Sequence, residues 1–169
     1  ISFTITAKAQ WASQASGFAT NHMVWSISVP SSNVVWASTI DTSFTNISGS
    51  YTRTIDGGAT WVPSVVTNST DWLINSLTAV DQNNAWAAML DINNGGGGIF
   101  HTNNGGTSWN QQATTQFAGP DGYPNLIYFW NLNDGIAIGD PNPTGFEIYT
   151  TANGGTTGLQ LRQLIFLQT

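Results

Sequence analysis

Cysteine is absent from this 169-residue chain, so no disulfide framework, thiolate metal site or cysteine nucleophile is available to it. Charge is scarce: Asp, Glu, Lys and Arg make up 7% of residues, against roughly 25% in an average soluble domain. The wet surface must therefore come from Ser, Thr, Asn, Gln and Gly, as in many extracellular β-proteins. Three Lys or Arg against nine Asp or Glu give a net charge of −6, and so few cations cannot neutralise a row of phosphates, which argues against nucleic acid as a partner. The only histidines are His22 and His101, and the only glutamate is Glu147, which limits acid–base chemistry. No stretch approaches the ~20 consecutive apolar residues of a membrane span. Helical periodicity is missing, and few capping signals precede the apolar runs. What remains, 40% hydrophobic and 12% aromatic residues, is enough for an ordinary core.

One phrase occurs three times: Thr54-Ile55-Asp56-Gly57-Gly58-Ala59-Thr60-Trp61, Thr102-Asn103-Asn104-Gly105-Gly106-Thr107-Ser108-Trp109 and Thr151-Ala152-Asn153-Gly154-Gly155-Thr156-Thr157. From Asp56 to Asn104 is 48 residues and from Asn104 to Asn153 is 49, while Trp36, Trp86 and Ile136, each within a short apolar run, are spaced by 50. Two markers thus give one repeat length. Within the first copy, strands are expected at Val24–Val29, Val34–Ile40, Ser50–Ile55 and Thr60–Val66, separated by Pro-Ser-Ser-Asn and Asp-Gly-Gly turns. The second copy repeats the order at Leu73–Val80, Ala85–Leu90, Gly98–Thr102 and Ser108–Ala113, and the third at Leu126–Trp130, Gly135–Gly139 and Phe146–Thr150. Repeats of this length with four short antiparallel strands read as blades, so the expected fold is all-β: a β-propeller fragment of about three four-stranded blades in an open arc.

The expected division is 22–66 for blade 1, 67–117 for blade 2 and 118–157 for an incomplete blade 3. Trp11-Ala12-Ser13-Gln14 resembles the starts at Trp61 and Trp109, so residues 10–15 read as the leading strand of a ring-closing blade. Residues 1–9, apolar and ending in Ala7-Lys8-Ala9, resemble the remnant of a signal peptide. Three repeats fall short of the four to eight of a closed ring, so a longer parent is expected. After Thr157 the pattern breaks, since Gly158 stands where a tryptophan is expected; residues 158–169 read as an aberrant tail produced by a frameshift. An isolated arc exposes blade faces and edges, and is expected to aggregate or dimerise.

The Thr-x-Asp/Asn-x-Gly-x-Thr/Ser-Trp phrase resembles the Asp-box of sialidase-like and sortilin-like propellers. The Asn-Gly-Gly variants, Gly139-Asp140-Pro141 and Phe146-Glu147-Ile148-Tyr149-Thr150-Thr151 resemble the secreted photosystem-assembly-factor-like propellers of Bacteroidota. That resemblance implies structural roles: Asp56, Asn104 and Asn153 holding turns, and Trp61 and Trp109 filling the space between blades. It also implies export from a Gram-negative bacterium, to the medium or the cell surface. Relatives of this kind often carry further β-domains and a type IX secretion signal, neither of which follows in this sequence.

Antiparallel strands place the box turns on one face and the longer connections on the other. The latter face is the candidate ligand site, with Phe44, Asp91, Phe117, Asp121, Tyr123 and Asp140 mixing aromatic platforms and carboxylates suited to a sugar or polar peptide. Phe44 and Phe117 have a second reading, as pins holding their loops to the blades. Sialidase chemistry, which by family resemblance uses three arginines, lacks them here, with only Arg53 and Arg162. A different glycosidase needs two carboxylates about 5–9.5 Å apart, for which Asp121 and Asp140 are the candidates. Glu147 reads as a solvated strand position and His101 as a surface residue. Asp81-Gln82-Asn83-Asn84, Asp91-Ile92-Asn93-Asn94 and Asn131-Leu132-Asn133-Asp134 lack the ligand spacing of calcium loops and read as turns. No metal or cofactor is expected. Gly95–Gly98 lacks the lysine of a phosphate loop, and Asn46-Ile47-Ser48 and Asn68-Ser69-Thr70 match glycosylation acceptors. The leading functional reading is a non-catalytic binding or adhesion module for a carbohydrate or protein ligand, docked to the remaining blades of a longer chain; a glycoside hydrolase and an assembly or scaffold factor are the alternatives.

Overall fold

The computed structural model describes residues 11–19, 21–43, 49–67, 71–112, 117, 119–142 and 145–156. Blade 1 consists of β1 (His22–Ser28), β2 (Val35–Asp41), β3 (Ser50–Thr54) and β4 (Val62–Val65). Blade 2 follows with β5 (Trp72–Ala79), β6 (Ala85–Asp91), β7 (Gly97–Thr102) and β8 (Asn110–Gln111), and blade 3 with β9 (Pro124–Phe129), β10 (Asp134–Asn142) and β11 (Gly145–Ala152). Each sheet is an antiparallel meander in sequence order, four strands in the first two and three described strands in the last. The blades stack side by side, β5 against β1 and β2, and β9 against β5 and β6.

The repeat packs because the second strands β2 and β6 are buried on both faces over most of their length, as a blade covered on both sides requires. Two clusters fill the gaps. Trp36 and Tyr51 of blade 1 meet Ile74, Leu77, Ala87, Met89 and Phe100 of blade 2; Trp86, Ala88 and Ile99 of blade 2 meet Ile127, Phe129, Ala137 and Tyr149 of blade 3. Hydroxyls stitch the inner strands across the same gaps. The Leu77 amide donates to Ser26 Oγ (3.2 Å), the Ala79 amide to Ser28 Oγ (2.9 Å) and the Ile127 amide to Ser76 Oγ (3.2 Å). The bond from Ser26 to Leu77 thus recurs one repeat later, from Ser76 to Ile127. Two amides on the open edge of β5 and one on that of β9 are thus taken up by side chains of the preceding blade.

Several expectations change. The connection expected between Asp140 and Gly145 is shorter, because β10 continues through a bulge after Ile138 to pair Pro141 with Phe146 and Asn142 with Gly145. The outer strands are shorter than expected, β8 most of all, since they lie at the periphery where little apolar surface rewards pairing. Residues 11–19 are irregular; they lie against blade 1, with Gly17 beside Trp61 and Pro63 and the Ser16 carbonyl accepting the Thr52 hydroxyl. The expected signal-peptide remnant and the expected frameshifted tail lie outside the described residues.

Candidate functional site

At one rim each blade folds the same pair of turns together. In blade 1, Asp56 Oδ1 accepts the Thr60 amide (2.9 Å) and the Thr54 hydroxyl (2.7 Å), while Thr54 Oγ1 accepts the Gly58 amide (2.9 Å). Asn104 Oδ1 takes the Ser108 amide and Thr102 Oγ1 the Gly106 amide in blade 2; in blade 3, Thr151 donates to Asn153 and accepts the Gly155 amide. Gly57, Gly105 and Gly154, all at positive φ, donate their amides to the Asn33, Asn83 and Asn133 carbonyls of the neighbouring turn. That turn is itself held by Ser31, Asp81 or Asn131 accepting local amides. The three Gly-Gly bends therefore share one rim, and their Asx side chains are consumed by local bonds.

Tryptophan indoles tie this rim from blade to blade. Trp36 Nε1 donates to the Asp81 carbonyl (3.2 Å) and Trp86 Nε1 to the Gly154 carbonyl (3.0 Å). Trp109 packs edge-on against Trp36 and Tyr51 at 6.1 and 5.6 Å and donates to the Tyr51 hydroxyl. Trp61, the equivalent side chain of blade 1, is only half-buried, and its Nε1 has no partner. Arg53 lies over the Trp36 ring at 4.9 Å, and His101 stacks on Trp86 at 4.4 Å. The expected surface role of His101 is corrected accordingly: burial against the indole pushes its pKa down.

The opposite rim gathers Asp91, Phe117, Tyr123 and Asp140. The Gly97 amide donates to the Phe117 carbonyl and the Asp140 amide to the Tyr123 carbonyl. Phe117 is 1% exposed, packed edge-on to Tyr149 at 5.0 Å, with φ of 56°; it pins its loop and offers no platform. Asp91 accepts the amides of Asn93 and Asn94 (3.1 and 3.0 Å), with Asn94 Nδ2 on its other oxygen. Asp140 is engaged by Asn125, and Asp121 is exposed on a turn closed by the Gly122 amide on the Gly119 carbonyl. Phe44 lies outside the described residues. Glu147, expected in solvent, is 5% exposed and accepts the Tyr149 hydroxyl at 2.7 Å. Burial, then this bond, pushes the Tyr149 pKa up.

The Asx bonds make a prediction about acid. The Thr60 amide holds the Asp56 carboxyl below its ordinary 3.8, and the Ser43 and Asn94 amides do the same for Asp41 and Asp91. A depressed folded-state pKa means that the unfolded chain binds the proton more tightly. The stabilisation is present above 3.8 and is lost as pH falls through the lower folded values. Asp56→Asn reproduces the Asn104 turn without a titrating group, so the urea midpoint of this variant should fall less between about pH 7 and about pH 3 than that of the parent. An unchanged acid limb would contradict this.

The inner strands β1, β5 and β9 line a third feature, an axial cleft of about 540 Å³. Its walls carry exposed Ile27, Val29, Leu126, Tyr128 and Trp130, with Tyr128 and Trp130 edge-to-face at 5.4 Å. None of these was a sequence candidate. The signal was a break in the repeat: Leu126 and Tyr128 stand where Ser76 and Thr78 stand one repeat earlier.

Three blades round one axis, with all box turns at one rim, settle the architecture. The fold is that of a β-propeller. A solved structure of YCF48 bound to D1 peptide has the same fold, matching with a TM-score of 0.60 and 23% identity over 86% of this chain and 42% of that one. YCF48 from Cyanidioschyzon merolae matches more weakly, with a TM-score of 0.46 and 16% identity over 71% of this chain and 33% of that one. The present chain thus spans less than half the length of either propeller. No family model and no curated protein matches the sequence. No helix among the described residues is long and apolar enough to cross a membrane.

Proposed function

We propose that this arc belongs to a non-catalytic propeller that binds an extended segment of another protein, as an assembly or scaffold factor does. The observation that carries the reading is the axial cleft, whose lining includes the exposed Ile27, Val29, Tyr128 and Trp130. Aromatic side chains that are rigid and half in water are the residues that anchor protein ligands most often. The 0.60 TM-score match to YCF48 bound to D1 peptide supports this reading. Asp91 and Asp140 are spent on amide donors, which leaves the opposite rim short of free carboxylates for a glycosidase. Asp121 and Tyr123 flank that rim as secondary contacts. An Asp-box family and export to the surface of a Gram-negative cell belong to the same proposal on sequence grounds alone, and a carbohydrate ligand is the competing reading.

The test is a library of extended peptides, screened beside a glycan array. Peptides should bind, and Trp130→Ala should weaken the best of them about tenfold or more without shifting the melt. Glycan binding with no peptide binding would overturn the reading.

A further inference from the structure

We propose that the axial cleft takes an uncharged, proline-rich segment in the polyproline II conformation, and does not take an added β-strand; this rests on the cleft being the peptide site. Strand addition needs a row of free amides and carbonyls on a sheet edge. Here amides of that row are already spent. Ser26 Oγ accepts the Leu77 amide, Ser28 Oγ the Ala79 amide and Ser76 Oγ the Ile127 amide, and all of these residues line the cleft. Two of the hydroxyls are committed a second time: Ser26 Oγ pairs with Ser38 Oγ at 2.7 Å, and Ser28 Oγ donates to the Ala79 carbonyl at 3.3 Å. A peptide laid along β5 or β9 finds no amide donors at those positions, so an alternating ladder cannot form.

What the cleft offers instead is an aromatic notch at its box-turn end. Pro30, Val80 and Trp130 stand there one per blade, 50 residues apart, and all three line the cleft. The Trp130 amide donates to the Asp134 carbonyl (3.0 Å), as the Val80 amide does to that of Asn84 (3.1 Å), so the turn fixes the base of the indole. Tyr128 stands edge-to-face to it, 5.4 Å away with 78° between the ring planes, and both side chains are at least half exposed. Among the described residues neither the Tyr128 hydroxyl nor the Trp130 indole N–H has an acceptor. Two crossed rings with free donors suit a proline ring packed against them and a ligand carbonyl turned towards them. A polyproline II segment makes no internal hydrogen bonds, so its carbonyls are available, and proline brings no N–H that needs an acceptor. Its conformation is set before binding, which lowers the cost of ordering. None of the described residues lining the cleft is charged, so a ligand Lys or Glu would lose hydration there and gain no partner.

Calorimetry with three capped peptides tests this: one repeating Pro-Pro-Leu-Pro, the same with alanine for every proline, and the same with N-methylalanine, which lacks the N–H but has no ring. The proline peptide should bind about tenfold or more tighter than the alanine peptide, with the N-methylalanine peptide between them. Trp130→Phe and Tyr128→Phe keep a ring and lose a donor. At these exposed positions they should leave the melt in place and weaken the proline peptide several-fold, as should a Lys or Glu at the centre of the peptide. Alanine or alternating Val-Thr peptides binding as well as the proline peptide, or a preference for a charged peptide, would overturn the inference and leave the peptide reading standing. Absence of binding by every peptide would overturn both.

Discussion

Trp86→Ala is expected to cost about 3–5 kcal/mol, a large part of the 5–15 kcal/mol typical of a folded domain. The indole is fully buried. It stacks on Phe129 of blade 3 at 3.7 Å and on His101 at 4.4 Å, and its Nε1 donates to the Gly154 carbonyl. Alanine leaves a cavity between two blades, removes the stack and leaves the Gly154 carbonyl with one donor, Gln112, in place of two. Trp86→Phe keeps part of the stack and loses the hydrogen bond, so it should fall between the two. Trp130→Ala removes an equally large but exposed ring and should shift stability by no more than about 0.5 kcal/mol. Urea unfolding followed by circular dichroism ranks the three. A Trp86→Ala loss below about 1 kcal/mol would mean that blades 2 and 3 are not packed as described.

Gly106→Ala should cost about 2–4 kcal/mol, and Gly119→Ala only about 1 kcal/mol. Both glycines have positive φ, 82° and 97°, where a side chain is strained. They differ in what a β-carbon would meet. At Gly106 it would collide with the Tyr51 hydroxyl of the preceding blade, whereas at Gly119 nothing lies within 4 Å. That hydroxyl donates to the Gly106 carbonyl at 3.2 Å and accepts from Trp109, so it cannot withdraw without giving up both bonds. The difference between the variants measures how firmly the box turn of blade 2 is clamped by blade 1. Equal losses would show that Tyr51 yields, and that the clamp contributes nothing.

How much of this was legible in the sequence depends on distance along the chain. The box turns were legible because everything they need lies within five residues: a threonine hydroxyl, an Asx oxygen and two glycines. The strands were legible from their turns and short apolar runs. Phe117 was legible only as a choice between ligand platform and pin, because what decides it is burial against Tyr149 in another blade on a left-handed backbone that a phenylalanine seldom adopts. Glu147 and His101 were misplaced for a related reason. In a blade covered on both sides, alternation does not separate core from solvent, so a polar residue on a strand says little about its face. The cleft was overlooked because its side chains look like ordinary strand residues until the repeats are aligned.

Repeat length, strand order and the shared rim of the Gly-Gly bends were determined by the sequence alone, since local turn chemistry and a fixed period suffice for them. Only the tertiary structure decided which faces touch, which aromatic rings are buried and which line the cleft. Those outcomes rest on contacts between residues far apart in the chain, 51 for Ser26 and Leu77 and 68 for Trp86 and Gly154, and no local pattern encodes the register that brings them together.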